Sequence, residues 1–284
     1  MTVLVLDFDG TMTDAEAEGR PFRDGYLDDL CALVGRPAGD AEVLAIATTV
    51  ENELLQSPEA HPFLWMGHAV APATVDPYLR MVPIAHRILD HFGVFPGAVD
   101  RGRLLGNVLY RYNYAKTLGH PVFRPGAGDV LRMLGGTEAW IVTNSDTHAV
   151  AGKVAALDRH VSGVAWLTSR VRGMARKFDV DDTWTGAAAE LQVPGLDRPV
   201  LLRRRAYHDI LKEILDAAGA TFADLVVIGD IFELDLAMPL SLGARVGLVS
   251  SVRTPTYERA YVSDHPRARM IEDLAEIPAF AFGA

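Results

Sequence analysis

Short apolar runs separated by stretches of helical periodicity organise most of this chain. Val3–Leu6 is a run of this kind, and it is typical of a strand that is buried on both faces of a parallel sheet. Comparable runs recur at Ala139–Val142, Leu225–Ile228 and Val246–Val249, and Ala268–Ile271 is expected at the edge of the sheet. The pattern therefore predicts an α/β protein built on a parallel sheet.

The strand pattern stops for about a hundred residues after the first run. Four segments in this stretch carry apolar residues at intervals of three and four, which predicts helices at Tyr26–Val34, Ala41–Leu55, Met81–Phe92 and Arg103–Thr117. Glycine and proline separate the segments, as at Pro96 and Gly97. We therefore expect a helical module over residues 15–118, inserted after the first strand.

Composition limits the classes of function. The net charge of −10 disfavours nucleic acid and anionic membranes as partners, and no apolar run approaches the roughly 20 residues that span a bilayer. The chain starts with a strand rather than a basic and then apolar segment, so a secretory signal is not expected. The single cysteine, Cys31, excludes an internal disulfide and fits a reducing cytoplasm. We expect a cytoplasmic protein without nucleic-acid or membrane partners, and the oligomeric state stays open.

Two acidic residues follow the first predicted strand. Asp7 and Asp9 flank Phe8, and Gly10 and Thr11 come next. Ligands of open α/β sheets bind beyond the carboxyl ends of strands, and alternation points the two carboxylates to one side. Carboxylates this close repel each other unless a cation or a shared proton lies between them, and Mg²⁺ commonly binds through one or two carboxylates plus substrate phosphate. Alone, however, Asp-x-Asp-Gly is more often a structural turn.

A hydroxyl residue follows the second core strand. Thr143 and Asn144 come directly after Ala139–Val142 and before a predicted helix. The N–H groups and dipole at a helix start favour an anion such as phosphate. Taken alone, the same residues would be an ordinary helix cap.

A third acidic site follows Leu225–Ile228. Asp230 comes directly after Gly229, and Asp235 follows after four residues. In isolation this pattern would be a strand-to-loop turn with surface carboxylates. In the order in which they occur, the three patterns together resemble the motifs of the haloacid dehalogenase (HAD) superfamily of phosphotransferases.

The resemblance implies an architecture. A doubly wound, Rossmann-like parallel sheet would occupy residues 1–14 and 119–284, and a helical cap would occupy residues 15–118. In the superfamily such a cap closes over the active site and usually selects the substrate. The alternative is a helical domain that makes no contact with the site.

The resemblance also implies a Mg²⁺-dependent phosphohydrolase acting on a small-molecule phosphate monoester. Asp7 would be the nucleophile that forms an aspartyl-phosphate, and Asp9 the general acid and base. Metal ligands would be Asp7, Asp9, Asp230 and Asp235, with Asp235 acting through water or by orienting the basic residue, and Glu233 as a substitute. Phosphate contacts would come from Gly10, Thr11, Thr143, Asn144 and a cation.

That cation, the third motif of the family, is ambiguous. The family places a lysine or arginine just before the helix whose apolar stripe begins here at Tyr207. Arg203, Arg204 and Arg205 compete, and Arg204 aligns best when counted back from the stripe. Lys177 and Lys153 are the alternatives, and the role of residues 146–199 is left open.

Other functions stay open at this point. A phosphomutase acting on a sugar phosphate would use the same motifs, and a phosphonatase or a catalytically silent binding module could use the same scaffold. The acid at Asp9 argues against dehalogenase chemistry, which does not need one there. Phosphonatase chemistry is disfavoured because no cap lysine has an evident Schiff-base setting.

Overall fold

The computed structural model describes residues 1–117 and 121–283, which form two compact units. The sheet unit comprises Met1–Asp14, Pro62–Pro72 and the chain from Phe123 onward. The helical unit comprises Ala15–His61 and Ala73–Val122. This division differs from the predicted one because Pro62–Pro72, inside the predicted insert, lies with the sheet. The predicted boundary at residues 118 and 119 falls outside the described residues.

The sheet unit contains a six-stranded parallel sheet and two short antiparallel pairs. In chain order the strands are β1 (Val3–Leu6), β2 (Pro62–Trp65), β3 (His68–Pro72), β4 (Ala139–Val142), β5 (Val171–Arg172), β6 (Glu190–Leu191), β7 (Val200–Leu201), β8 (Leu225–Gly229), β9 (Arg245–Val249) and β10 (Ala268–Ile271). The large sheet has the order β10-β9-β8-β1-β4-β5, while β2 pairs with β3 and β6 with β7. Helices flank the large sheet, which confirms the predicted α/β class with a doubly wound parallel sheet.

The chain order reverses at β1, the strand with which the sequence begins. β1 pairs with β4 on one side and with β8 on the other, so that the polypeptide builds the sheet outward in both directions. Ligands of doubly wound folds bind in the crevice at such a switch point, beyond the carboxyl ends of the strands. Asp7, Thr143 and Asp230 follow β1, β4 and β8 directly.

Helices α1 to α5 belong to the helical unit, and α6 to α11 to the sheet unit. The first five are α1 (Ala15–Leu33), α2 (Ala41–Gln56), α3 (Pro77–His91), α4 (Ala98–Gly102) and α5 (Arg111–Tyr114), with a π-helical segment at Arg103–Tyr110. The others are α6 (Ala127–Met133), α7 (Thr147–Val161), α8 (Arg205–Ala218), α9 (Ala237–Ser241), α10 (Thr256–Asp264) and α11 (Ile277–Phe282). No helix within the described ranges has the length and apolar character that crossing a membrane requires.

Alternation along β1 divides the core of the sheet unit into two layers. Val3 and Val5 pack in one apolar cluster with residues of α8 such as Leu211, whereas Leu4 and Leu6 pack in the other with residues such as Val154 of α7. Every residue of β1 is buried. The sheet is therefore a two-sided apolar scaffold, as the continuous apolar run predicts.

The segment after α7 differs from expectation. The sequence predicts strands near Val161–Leu167 and Ala175–Val180, but α7 extends to Val161 and a 3-10 helix follows at Ala165–Arg170. The strand β5 lies between the two predicted positions. Val164 and Leu167 are both buried. Residues three apart lie on the same face of a 3-10 helix, so this helix buries the apolar residues from which a strand was predicted.

The β2–β3 hairpin was also not predicted. Phe63 and Trp65 of β2 contact the ring of Phe178, with ring centroids 5.7 and 5.9 Å apart. Trp65 Nε1 donates to Asp179 Oδ1 at 2.9 Å. These contacts hold the hairpin against the loop that follows β5.

Candidate active site

The residues that follow β1 and β8 converge on one cluster of oxygens. Asp7 Oδ2 and Asp230 Oδ1 lie 3.2 and 3.1 Å from the hydroxyl of Thr11, which can donate to either carboxylate. Asp7 is buried, and its N–H donates to the carbonyl of Ile228 in the sheet at 2.8 Å. The sequence-predicted Asp7, Thr11 and Asp230 are therefore brought together.

Lys177 supplies the positive charge at this cluster. Its Nζ donates to Asp7 Oδ1 at 2.7 Å and to Asp235 Oδ1 at 2.8 Å, and the side chain is 1% exposed. Asp235 Oδ2 accepts the N–H of Ile231 at 3.1 Å, so that both oxygens of Asp235 have donors. Asp235 is thus bonded to a basic residue, which is the contact that one of its two predicted roles requires.

The electrostatics of the cluster follow from its burial. Burial raises the pKa of Asp7 to about 7, against the opposing attraction of Lys177. Burial would lower the pKa of Lys177, but the carboxylates of Asp235 and Asp7 outweigh it and hold that pKa above its ordinary value. Lys177 is therefore a fixed cation, and Asp7 is the group whose charge responds to a further positive ligand.

Arg204, the cation that counting back from the helix stripe favours, bonds to backbone carbonyls. Its guanidinium is fully buried and donates to two backbone carbonyls, those of Lys177 and of Val70 in β3, the latter at 2.9 Å. Counting back from the helix stripe thus selects a residue that contacts the backbone of Lys177, whereas Lys177 itself, one of the alternatives, contacts Asp7. Burial lowers the pKa of Arg204 to about 10, so it stays charged at neutral pH.

Asp9 has a separate set of partners. One oxygen accepts from Lys153 Nζ of α7 at 2.6 Å, and the other from Ser145 Oγ at 2.6 Å. Thr143 Oγ1 lies 3.5 Å from the same oxygen. Lys153, an alternative for the cation of Asp7, is thus the partner of Asp9.

The side chains of Thr143 and Asn144, which follow β4, accept hydrogen bonds from the backbone of nearby loops. The hydroxyl of Thr143 accepts the N–H of Ser145 at 3.1 Å. Asn144 Oδ1 accepts the backbone N–H of Lys177 at 2.7 Å. Asn144, which was predicted to contact phosphate, therefore bonds to the backbone of Lys177 in the part of the chain that the structure describes.

Gly10 allows the close approach of Asp230. Its φ is +89°, and a Cβ there would lie 2.8 Å from Cγ of Asp230 and closer still to its Oδ2. An L-residue side chain would therefore displace that carboxylate. The position of the Asp230 carboxylate therefore requires glycine at residue 10, independently of the phosphate contact predicted for Gly10.

The oxygen cluster fits a divalent cation. One carboxylate oxygen from each of Asp7, Asp230 and Asp235 can be chosen so that all three lie within 4.8 Å of one another, and an all-oxygen donor set suits Mg²⁺. Asp9 is not part of this group among the described residues. Glu233 is held instead by Arg198, through two bonds of 2.7 and 2.8 Å, and by Tyr257 at 3.0 Å.

The backbone that carries Lys177 is strained. Met174 and Arg176, neither of them glycine, have φ values of +53° and +50°. Each such residue costs about 1–3 kcal/mol and persists only where the surroundings hold it. Met174 and Ala175 donate to the carbonyls of Ser145 and Thr143 at 2.9 Å, which anchors the start of this loop to the end of β4.

Comparisons with known proteins identify the fold. No protein-family model matches the chain, and no curated protein does. A solved haloacid dehalogenase-like protein of unknown function from Agrobacterium tumefaciens has 13% identity and a TM-score of 0.53, covering 98% of this chain and 96% of its own. A predicted phosphoglycolate phosphatase from Haemophilus somnus has 14% identity and a TM-score of 0.52, over 98% and 96%.

A magnesium-bound HAD hydrolase from Bacillus subtilis has 18% identity and a TM-score of 0.51, covering 97% of this chain and 96% of its own. These similarities extend over nearly the whole length of both chains. The protein therefore has the fold of the HAD-like hydrolases, in agreement with the resemblance of its motifs. At these identities the likeness establishes the fold alone.

Sequence reasoning missed the contacts of Ser145 and Lys177. Ser145 directly follows Thr143 and Asn144, but the sequence does not indicate that it contacts Asp9. Lys177 was named only as an alternative for the cation, and the strand predicted around it gives no indication that its side chain reaches Asp7. Only the fold brings it to Asp7, 170 residues earlier in the chain.

Proposed function

We propose that the protein is a Mg²⁺-dependent phosphohydrolase that cleaves a small-molecule phosphate monoester through an aspartyl-phosphate at Asp7. The observation that carries the proposal is the placement of Asp7 between a buried cation, Lys177, and a second carboxylate, Asp230, at the switch point of the sheet. The single, buried Cys31 supports a cytoplasmic location.

In the proposed reaction, the Asp7 carboxylate attacks phosphorus, and the bond from phosphorus to the ester oxygen breaks. Asp9 gives its proton to the departing oxygen and then takes a proton from water, which attacks the aspartyl-phosphate and releases inorganic phosphate. Ser145 and Lys153, which bond to the two oxygens of Asp9, would orient its carboxyl group. Atoms balance with one water consumed for each ester cleaved.

Charge at the phosphate would be compensated from two sides. Lys177 is the proposed third-motif cation. Thr143, which follows β4, and Thr11, which lies in the turn after β1, carry hydroxyl groups that could donate to phosphate oxygens. Asp7 and Asp230 would hold Mg²⁺, and Asp235 would act through Lys177. When bound, the metal supplies positive charge that polarises the phosphate.

A screen of phosphate esters with and without Mg²⁺ tests this function. The panel should include 2-phosphoglycolate, because two of the solved structures of similar fold are described as phosphoglycolate phosphatases. We expect phosphate release by the wild type that stops on chelation and is absent in Asp7→Asn. Analysis of sugar phosphates for isomers as well as free phosphate separates hydrolase from mutase. Failure of the wild type to turn over any ester, or turnover by Asp7→Asn, would contradict the proposal.

A further inference from the structure

Lys177 is held by its backbone as well as by its ammonium group. The N–H of its peptide donates to Asn144 Oδ1 at 2.7 Å, and its carbonyl accepts from the guanidinium of Arg204. Side chains from two different parts of the fold thus satisfy both polar groups of one residue. Most buried backbone groups bond to other backbone groups, whereas the N–H and the carbonyl of Lys177 both bond to side chains.

Arg204 connects this peptide to the hairpin. Its Nη2 donates to the carbonyl of Val70 in β3 at 2.9 Å while Nη1 donates to Lys177. Arg204 is fully buried and precedes α8 directly. A planar guanidinium can form two bonds in fixed and diverging directions, which an ammonium group on a flexible stem cannot reproduce.

The hairpin also contacts the residues that follow Lys177. Phe63 and Trp65 pack on Phe178, and Trp65 donates to Asp179. The strained loop is therefore bonded to the end of β4 on one side, through Asn144, and to the hairpin on the other, through Arg204 and these rings. A loop that contains positive φ values before Lys177 requires such support.

We infer that Asn144 and Arg204 are positioning residues that clamp the Lys177 peptide and so fix its ammonium group between Asp7 and Asp235. Asn144, Arg204 and the β2–β3 hairpin together are called the lysine clamp. The effect of the clamp on catalysis rests on the proposed function, whereas the clamping of Lys177 does not. It assigns a role to the hairpin, which lies within the predicted insert and yet belongs to the sheet unit.

Kinetics of clamp variants test the catalytic consequence. Arg204→Lys keeps the charge but loses one of the two carbonyl bonds, and we expect kcat to fall about 100-fold, as small misplacements of catalytic groups do. Asn144→Ala should lower kcat about 10-fold, the usual scale for a residue that orients another. Arg205→Met, at an exposed neighbouring arginine that pairs with Asp181 and Asp209, is the matched control and should keep the wild-type rate.

The background of Lys177→Met separates positioning from general structural damage. If Arg204 and Asn144 act through Lys177, adding either variant to Lys177→Met should cause no further loss of kcat. Full additional losses in that background would overturn the inference, as would wild-type kcat in both single variants.

Lysine labelling tests the clamp without any assay of turnover. Reductive methylation followed by peptide mass spectrometry should leave Lys177 protected in the wild type, because it is 1% exposed and paired to two carboxylates. In Arg204→Met and Asn144→Ala its labelling should rise about tenfold relative to Lys212, which is 51% exposed. Each variant removes a bond to the Lys177 backbone that opposes local opening, and Arg204→Met also removes the bond to Val70.

Unchanged protection of Lys177 in folded variants would refute the clamp. If Arg204→Met does not fold, Asn144→Ala still gives the answer, because Asn144 is only partly buried. A wild type inactive on every ester would contradict the proposed function, whereas the labelling result would still decide whether the clamp exists.

Discussion

The sheet unit and the helical unit both bury charged side chains, but they surround them differently. In the sheet unit, the Lys177 side chain is 1% exposed, and its partners Asp7 and Asp235 are 10% and 5% exposed. In the helical unit, Arg80 is 2% exposed but pairs with Glu16, which is 47% exposed, and Arg101 pairs with Asp90, which is 63% exposed. Among these pairs, those in the sheet unit have both partners removed from water, and those in the helical unit leave one partner solvated.

The fully buried ion pairs of the sheet unit indicate a functional site rather than a source of stability. Desolvating both members of an ion pair often costs as much as their attraction returns, so a fully buried pair is weak evidence for stability. Perturbed charges of this kind cluster at functional sites. The helical unit contains an aromatic cluster, in which the ring of Phe22 contacts those of Tyr26, Tyr78 and Tyr110 at centroid distances of 4.7–5.5 Å.

The largest expected effect is at the proposed nucleophile. Asp7→Asn keeps the shape of the side chain but removes its nucleophilic charge, and we expect kcat to fall about 10⁴-fold or more. Circular dichroism should show that the variant remains folded. Asp90→Asn, the same exchange at a solvated partner in the helical unit, is the control and should retain the wild-type rate.

Removal of the buried cation should affect both activity and stability. Lys177→Met leaves Asp7 and Asp235 facing each other without compensation, and we expect an activity loss of about 10³-fold. The free energy of unfolding should fall by about 3 kcal/mol, the scale for an ion pair broken inside a protein. Urea unfolding and steady-state kinetics on the same sample provide the two measurements.

Arg101→Met sharpens this prediction. Asp90 stays hydrated after the arginine is removed, but the carbonyl of Phe95 loses its guanidinium donor at 2.8 Å. We expect a loss of about 1 kcal/mol in unfolding free energy, the scale of one hydrogen bond. A loss as large as that of Lys177→Met would mean that the two units do not differ in the way their exposures indicate.

Mg²⁺ should stabilise the sheet unit by binding only the folded site. At about 100 times its dissociation constant the ion would add about 2.7 kcal/mol to the unfolding free energy. Asp230→Ala should remove most of this effect, whereas Asp235→Ala should reduce it less, because both oxygens of Asp235 already have protein donors. A melting temperature indifferent to Mg²⁺ would argue against the site.

The pH dependence of this stabilisation has a defined sign. Burial raises the pKa of Asp7 to about 7, so below that pH a proton competes with the metal for its carboxylate. The half-saturating Mg²⁺ concentration should therefore rise about tenfold per pH unit as the pH falls below about 7, and level off above it. A half-saturating concentration that is constant from about pH 5 to about pH 8 would show that Asp7 does not control metal binding.

Elements with a clear apolar period could be predicted from the sequence. β1, β4 and β8 lie within a residue of the predicted runs, because a buried parallel strand needs a continuous apolar segment. The strand-end residues Asp7 and Asp230 follow from these runs, since the sheet itself brings carboxyl ends together. Asp9, Thr143 and Asn144 also follow these strands, and the roles assigned to them stay predictions.

The remaining features depend on contacts that leave no local pattern. The hairpin of β2 and β3 is short, and its partner Phe178 is more than a hundred residues away in sequence. Whether Arg204 or Lys177 contacts Asp7 depends on the path of the loop after β5, which the sequence pattern does not determine. Alignment to a motif cannot decide this, because several cations lie near the expected position.

The smallest expected effect concerns Asp76, a half-buried carboxylate of the helical unit. Asp76 caps α3 by accepting the N–H groups of Tyr78 and Leu79 at 2.6 and 3.2 Å, yet burial raises its pKa to about 6. The folded state therefore binds the proton more tightly than the unfolded state, whose pKa is near 3.8. The corresponding stability is present below about pH 4 and is lost as the pH rises through about 6.

Asp76→Asn keeps an acceptor at the cap but cannot ionise. Relative to this variant, the wild type should lose about 1 kcal/mol of unfolding free energy between about pH 4 and about pH 7.5, a value reduced from the full shift because the side chain is only partly buried. Urea unfolding of both proteins at the two pH values measures the difference. Asp40→Asn at the cap of α2, which accepts from Glu42 and Val43 in the same way, gives the general cost of this exchange at a cap. If the difference between wild type and Asp76→Asn does not change with pH, Asp76 is effectively solvated, and the helical unit then leaves water access to this carboxylate as it does to Glu16 and Asp90.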